Sequence, residues 1–209
     1  MARRVDQAQA QLRQRQDAVA RQQTRLEQAR LERGEALSRI QARIADQSSQ
    51  LARLEEDEAR LEKLLRDMRQ TLDDIPARPS GEPFSALRNK LPWPAQRRIA
   101  ARFGSRREGP IRWNGVLLNV PPGTEVRAIH PGRVVYADWL RGYGLLTIVD
   151  HGDGFLTLYG HNESLLRQVG EWVSLGDTLA LVGDSGGRDE SGLYFEIRRN
   201  GQPINPDQW

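Results

Sequence analysis

Gly132-Arg133-Val134-Val135-Tyr136-Ala137, Leu145-Leu146-Thr147-Ile148-Val149, Phe155-Leu156-Thr157-Leu158-Tyr159, Thr178-Leu179-Ala180-Leu181-Val182 and Leu193-Tyr194-Phe195-Glu196-Ile197-Arg198 decide the fold. Each run is short and rich in the side chains that suit a pleated, half-buried surface. Turn signals separate them: Pro122-Gly123, His151-Gly152-Asp153-Gly154 and Ser185-Gly186-Gly187. Strands at this spacing predict an all-β domain of packed antiparallel sheets over 93–209. That stretch is long enough to form its own core.

Upstream, Pro76, Pro79, Gly81, Pro83 and Pro92 make 76–92 a linker, because proline at this density excludes a long helix. Inside it Phe84, Leu87 and Leu91 share one face of a short amphipathic helix. That helix either packs on the outside of the β-domain or lies over a groove as a removable, regulatory plug. Residues 1–75 are helical in character. They hold no proline, one glycine (Gly34), and an abundance of Ala, Leu, Glu, Gln and Arg.

Steps of seven from Val5 meet Leu12, Val19, Leu26, Arg33, Ile40, Gln47, Leu54, Leu61, Met68 and Ile75. A companion row runs Gln9, Gln16, Gln23, Arg30, Leu37, Ile44, Leu51, Glu58, Leu65 and Leu72. Together they trace a coiled-coil seam with no register skip, strong from Leu37 onward and weak before it. An unbroken register predicts one helix of about 100 Å, at about 1.5 Å per residue. Its stripe needs a partner, either a second strand of a stalk or the other half of an antiparallel hairpin. The fold class is therefore α+β in separate parts: a long N-terminal coiled-coil helix, then an all-β antiparallel domain.

Composition bounds the function. The chain has 209 residues, with 31 basic against 28 acidic side chains and a net charge of +3. Such a balance is no nucleic-acid footprint. With no cysteine there is neither a disulfide framework nor a thiolate metal site. No apolar run is long enough to span a membrane. The start, Met-Ala-Arg-Arg-Val-Asp, is not a signal peptide. It reads as the truncated edge of a longer helical repeat, so an exported protein would have lost its signal.

Three strings narrow the reading: Arg112-Trp113-Asn114-Gly115-Val116-Leu117, Leu158-Tyr159-Gly160-His161, and Gly192-Leu193-Tyr194-Phe195-Glu196-Ile197-Arg198. Their order resembles the M23 (LytM, lysostaphin-like) zinc endopeptidases, in which they read His-x-Gly-x-Asp, Tyr-x-His and His-x-His-Phe-Glu. Leu91-Pro92-Trp93-Pro94, Ala101-Arg102-Phe103-Gly104, Pro121-Pro122-Gly123-Thr124-Glu125-Val126-Arg127-Ala128, Gly176-Asp177-Thr178-Leu179-Ala180-Leu181-Val182-Gly183 and Asn205-Pro206 extend the likeness over 93–209. The preceding coil, with Ala137 to Gly144, resembles the EnvC type of murein hydrolase activators.

The resemblance implies a three-ligand zinc site at Trp113, Leu117 and Tyr194, none of which is a suitable ligand. Of the two assisting histidine positions, His161 remains and Gly192 does not qualify. His130 and His151 read as surface or turn histidines, and His161 as a remnant or packing residue. The expectation is therefore no enzyme, no cofactor and no metal.

The resemblance further implies a periplasmic activator of N-acetylmuramoyl-L-alanine amidases in septal peptidoglycan splitting. Its partners would be a periplasmic zinc amidase, the FtsE–FtsX division complex through the coil, and peptidoglycan. The amidase-binding groove would comprise Trp113, Asn114, Leu117, Tyr143, Leu146, Tyr159, His161, Tyr194 and Arg198, although a basic residue is usual where Asn114 stands. Two other readings compete: an active zinc endopeptidase with unusual ligands, and a wall-binding scaffold that activates nothing.

Overall fold

The computed structural model describes residues 2–72, 82–96 and 98–209, with side chains in the long helix from Leu12 to Met68. The side chains of Val5, Gln9 and Leu72, and the whole of Ile75, Pro76, Pro79 and Gly81, lie outside the described residues. One helix, α1 (Ala2–Leu72), precedes the strands. The chain divides into two compact units, residues 1–50 and residues 51–209.

In the first unit the seam is bare. Leu12, Val19, Leu26, Leu37, Ile40 and Ile44 are each 50–60% exposed. Helix propensity holds this unit, with surface pairs such as Glu35–Arg39 at 3.3 Å adding a few tenths of a kcal/mol at most.

The second unit carries the β-domain. Its strands are β1 (Ile99–Ala101), β2 (Arg106–Glu108), β3 (Ile111–Arg112), β4 (Val116–Leu118), β5 (Glu125–Arg127) and β6 (Gly132–Leu140). They continue with β7 (Gly144–Asp150), β8 (Phe155–Leu165), β9 (Trp172–Val173), β10 (Thr178–Val182), β11 (Leu193–Arg199) and β12 (Gln202–Ile204). The main sheet runs β1-β4-β11-β8-β7-β6-β9, every neighbour antiparallel. β10 bridges β5 and β8, β12 extends from β11, and β2–β3 form a separate hairpin.

Strand alternation sorts the side chains into two layers. Leu193, Phe195 and Ile197 of β11 enter the main core with Val116, Leu118, Phe155, Tyr159 and Val149. Tyr194 faces the other way and packs with Tyr143, Leu146, Ile148, Leu156 and Leu158. The sheet therefore has a second apolar face, and α1 covers it: Leu61 and Leu65 are 0% and 2% exposed there, with Leu64 and Met68 packed beside them. Burying each leucine contributes about 2 kcal/mol. From Leu61 to Met68 the predicted seam packs on this domain.

The linker does not supply the cover expected of it. Phe84 sits in a 3-10 turn (Phe84–Leu87) and is 1% exposed within the main core. Its ring lies 4.7 Å from Phe155, 5.0 Å from His151, 5.2 Å from His130 and 5.4 Å from Trp209. Leu91 packs against the same core. Phe84 is the domain's anchor, and the plug reading of Phe84, Leu87 and Leu91 is corrected: prolines shorten the helix to one turn, whose aromatic residue fills a core site.

The reading of His130 as a surface histidine is corrected as well, whereas His151 is half-buried at the edge of its turn. His130 is buried, with ring nitrogens 2.8 Å from the Pro131 carbonyl and 3.0 Å from that of Glu82. His151 meets Pro131 O and Thr157 Oγ1. Burial depresses its pKa to about 3. Both rings pack against Phe84, at 5.2 Å for His130 and 5.0 Å for His151.

Candidate functional site

The residues read as a groove fall on the second, apolar face of the sheet, with β4, β7, β8 and β11 as its floor. Tyr194 lies opposite Leu117 across one ladder and opposite Gly160 across the other. The ring of Tyr194 is 5.4 Å from Tyr143, 6.0 Å from Trp113 and 6.2 Å from His161. Leu146 belongs to the same cluster. Gly115 lets the Trp113–Leu117 segment lie against β11: a Cβ there would sit 2.4 Å from the Phe195 carbonyl oxygen. Arg107 of β2 stacks over the Trp113 indole at 4.4 Å, a cation–π contact that holds the ring at the groove's rim.

Behind Tyr194 lies a buried polar network. The Tyr194 hydroxyl donates to Glu196 Oε2 at 2.7 Å. Arg198 Nε donates to Glu196 Oε1 at 2.5 Å, and Arg198 Nη1 donates to the Gly201 carbonyl at 3.1 Å. Both Glu196 and Arg198 are 0% exposed. Burial pushes the Glu196 carboxyl up, against the pull of Arg198 and Tyr194. Burial also opposes the Arg198 charge, yet the carboxylates of Glu196 and Glu62 hold its pKa above the usual range. Burial, reinforced by the Glu196 charge, holds the Tyr194 phenol neutral.

The helix completes the site with acids. Glu62 Oε1 accepts from Arg198 Nη1 at 2.5 Å, and Glu58 Oε1 accepts from Asn114 Nδ2 at 2.6 Å. Arg141 reaches Glu56 at 3.1 Å and Asp57 at 3.3 Å. Gly142 admits the helix closely, since a Cβ would lie 2.5 Å from the Asp57 side chain. Burial raises the Asp57 carboxyl, partly offset by Arg141. One helical segment thus caps the groove with Leu61 and Leu65 in its centre and a carboxylate at each polar contact.

Eight of the nine predicted groove residues converge here. Trp113, Asn114, Leu117, Tyr143, Leu146, His161, Tyr194 and Arg198 lie along this face or its rim. Tyr159 does not: β8 alternation turns it into the main core, 5.5 Å from Phe195. His161 is 3% exposed, has a left-handed backbone (φ 66°) and meets the Ser185 carbonyl through Nδ1 at 2.8 Å. Burial lowers its pKa to about 4. Glu196, Glu58, Glu62 and Arg141 escaped the sequence reading. Glu58 had left a signal, being an acid at a seam position, where a charge requires a polar partner.

The positions that an M23 fold uses for zinc do converge, since Leu117 and Tyr194 are cross-strand partners and Trp113 stacks beside them. Their side chains do not fit a metal. Indole and alkyl carbon donate no lone pair, and the neutral Tyr194 phenol already donates to Glu196. Among the described residues no three His, Asp or Glu side chains form a metal-holding group.

Residues 112–206 match Peptidase family M23, and the β-domain is a Peptidase M23 domain. It is 48% identical over 126 residues to the murein hydrolase activator EnvC of Escherichia coli (strain K12), a match covering 60% of this chain and 30% of that protein. A lipoprotein NlpD/LppB homolog of Pseudomonas aeruginosa is 41% identical over 118 residues, covering 56% of this chain and 38% of that protein. This chain therefore spans about a third of these relatives. A zinc containing peptidase from Vibrio cholerae shares the fold, with TM-score 0.53 and 23% identity over 56% of this chain and 39% of that one.

Proposed function

We propose that this chain is the regulatory part of a murein hydrolase activator of the cell envelope, acting without a metal. It binds a periplasmic zinc amidase through the groove and leaves the cutting of peptidoglycan to that enzyme. The observation that carries this reading is the groove itself: a peptidase cleft whose ligand positions hold Trp113, Leu117 and Tyr194 and whose floor is built to grip a helix. Aromatic and Arg anchors in a shaped, desolvated cleft are the usual determinants of protein recognition. The names of the 48% and 41% identical relatives support it.

On this reading, Leu51–Met68 of α1 is the restraint that the sequence had led us to expect from the linker. With the helix docked, the partner's site is filled. Displacement follows a population shift, so an upstream division complex of the FtsE–FtsX kind, pulling on the coil, need supply only the docking free energy.

The test is dye release from labelled sacculi. Wild-type chain and a periplasmic N-acetylmuramoyl-L-alanine amidase together should release dye, and neither alone should. Leu61→Arg with Leu65→Arg should undock the helix and raise release at least about fivefold, since two buried leucines contribute several kcal/mol. Release by the chain alone, abolished by a chelator, would instead make it an enzyme.

A further inference from the structure

The end of the Arg198 guanidinium is only half used. Glu62 takes Nη1 alone, with one oxygen, and Glu196 is already committed to Nε and to Tyr194. Among the described residues Arg198 Nη2 has no hydrogen-bond partner, although it is buried from solvent. A buried donor without an acceptor costs about 1–3 kcal/mol, more on a charged group. The guanidinium is a planar fork that matches a carboxylate with two parallel hydrogen bonds. Glu196 is itself fully buried and clamps Nε, so the fork is fixed in place, with Nη1 reaching the Glu62 carboxylate of α1 and the Gly201 carbonyl. The helix contact that holds the site shut is therefore an incomplete version of a better one.

We propose that the segment displacing α1 carries an Asp or Glu that grips both terminal nitrogens of Arg198, where Glu62 grips one. This rests on the activator reading above and names the recognition chemistry of its partner. The partner is a protein helix, because the present occupant is one: Leu61 and Leu65 flank Glu62 and fill the apolar floor formed by Tyr143, Leu146, Ile148 and Tyr194. The displacing helix presents an acid with apolar residues one position before it and three after. Glu196 is the positioning residue, since it fixes both Arg198 and the Tyr194 hydroxyl. Exchange of occupants then removes an unsatisfied donor, which favours the partner over the tethered helix at the polar end of the groove.

The experiment is a double-mutant cycle with the full chain and a periplasmic zinc amidase. Each exposed Asp and Glu on the amidase's apolar-faced helices is changed to its amide, and affinity is measured by calorimetry against wild-type chain and Arg198→Lys. One amide variant should weaken binding to wild type at least about tenfold and binding to Arg198→Lys less than about twofold. In the chain, Glu62→Gln should tighten amidase binding about fivefold or more, because it weakens only the competitor. Glu62 lies on the helix at the groove's edge, so this variant keeps the proposal testable even if Arg198→Lys fails to fold.

If every amide variant acts independently of Arg198 while the amidase is still bound and activated, the carboxylate proposal falls and the activator reading stands. If neither wild type nor Glu62→Gln binds the amidase, both fall. Arg198-dependent binding of muropeptides in place of the amidase would also overturn the protein-helix partner.

Discussion

At the scale of single residues, strand parity decides what each aromatic does. Tyr159 and Tyr194 lie on neighbouring strands, yet one fills the core and the other floors the groove. Tyr159→Ala should cost the domain about 3–5 kcal/mol in urea denaturation, the usual penalty for an emptied aromatic site. Tyr194→Phe should cost only about 1–3 kcal/mol, the price of leaving a buried Glu196 oxygen unpaired, while amidase activation drops. A reversed order would mean that the faces are misassigned. His161 makes a pH prediction. Its pKa falls to about 4 in the folded domain, so its stabilising contribution is complete above the unfolded value of 6.5. That contribution is lost as pH falls from 6.5 towards 4. Between pH 7 and pH 5 the wild type should lose about 2 kcal/mol through this group, a loss absent in His161→Gln. Urea midpoints at the two pH values measure it.

At the scale of elements, two segments cover the β-domain and do different work. Leu51–Met68 lies over the groove through leucines and acids; Phe84 is inserted into the main core. Phe84→Ala should therefore lower the unfolding midpoint by about 3–5 kcal/mol equivalent without selectively opening the groove. Hydrogen exchange should show the contrast: Leu61→Arg with Leu65→Arg deprotects 51–68 alone, whereas Phe84→Ala raises exchange throughout the domain. Selective deprotection of 51–68 in Phe84→Ala would restore the linker as the restraint. The heptad rows had identified residues that dock, Leu61, Leu65 and Met68 with Glu58, but not their target. A seam states only that a stripe must be buried; whether against a helix or a sheet depends on which surface is within reach.

For the whole molecule, the two units rest on different physics. Residues 1–50 expose their stripe, while 51–209 own every core residue of the described chain. Deleting 1–50 should leave the urea midpoint of the remainder unchanged within about 0.5 kcal/mol, as expected for sites without shared partners. A large loss would show that the coil supports the domain. The long helix, the antiparallel β-domain and the three strings that meet on its second face were legible in the chain alone. These follow from periodicities of seven and two and from motif spacing, which are local properties of the chain. Long-range packing set the rest: Tyr159 turns inward, Phe84 is core, and α1 covers the second face. It also brought Glu62 to Arg198 across 136 positions. Those outcomes depend on which apolar face meets which over long separations, and on burying each charge only where a partner awaits it, which no local pattern records.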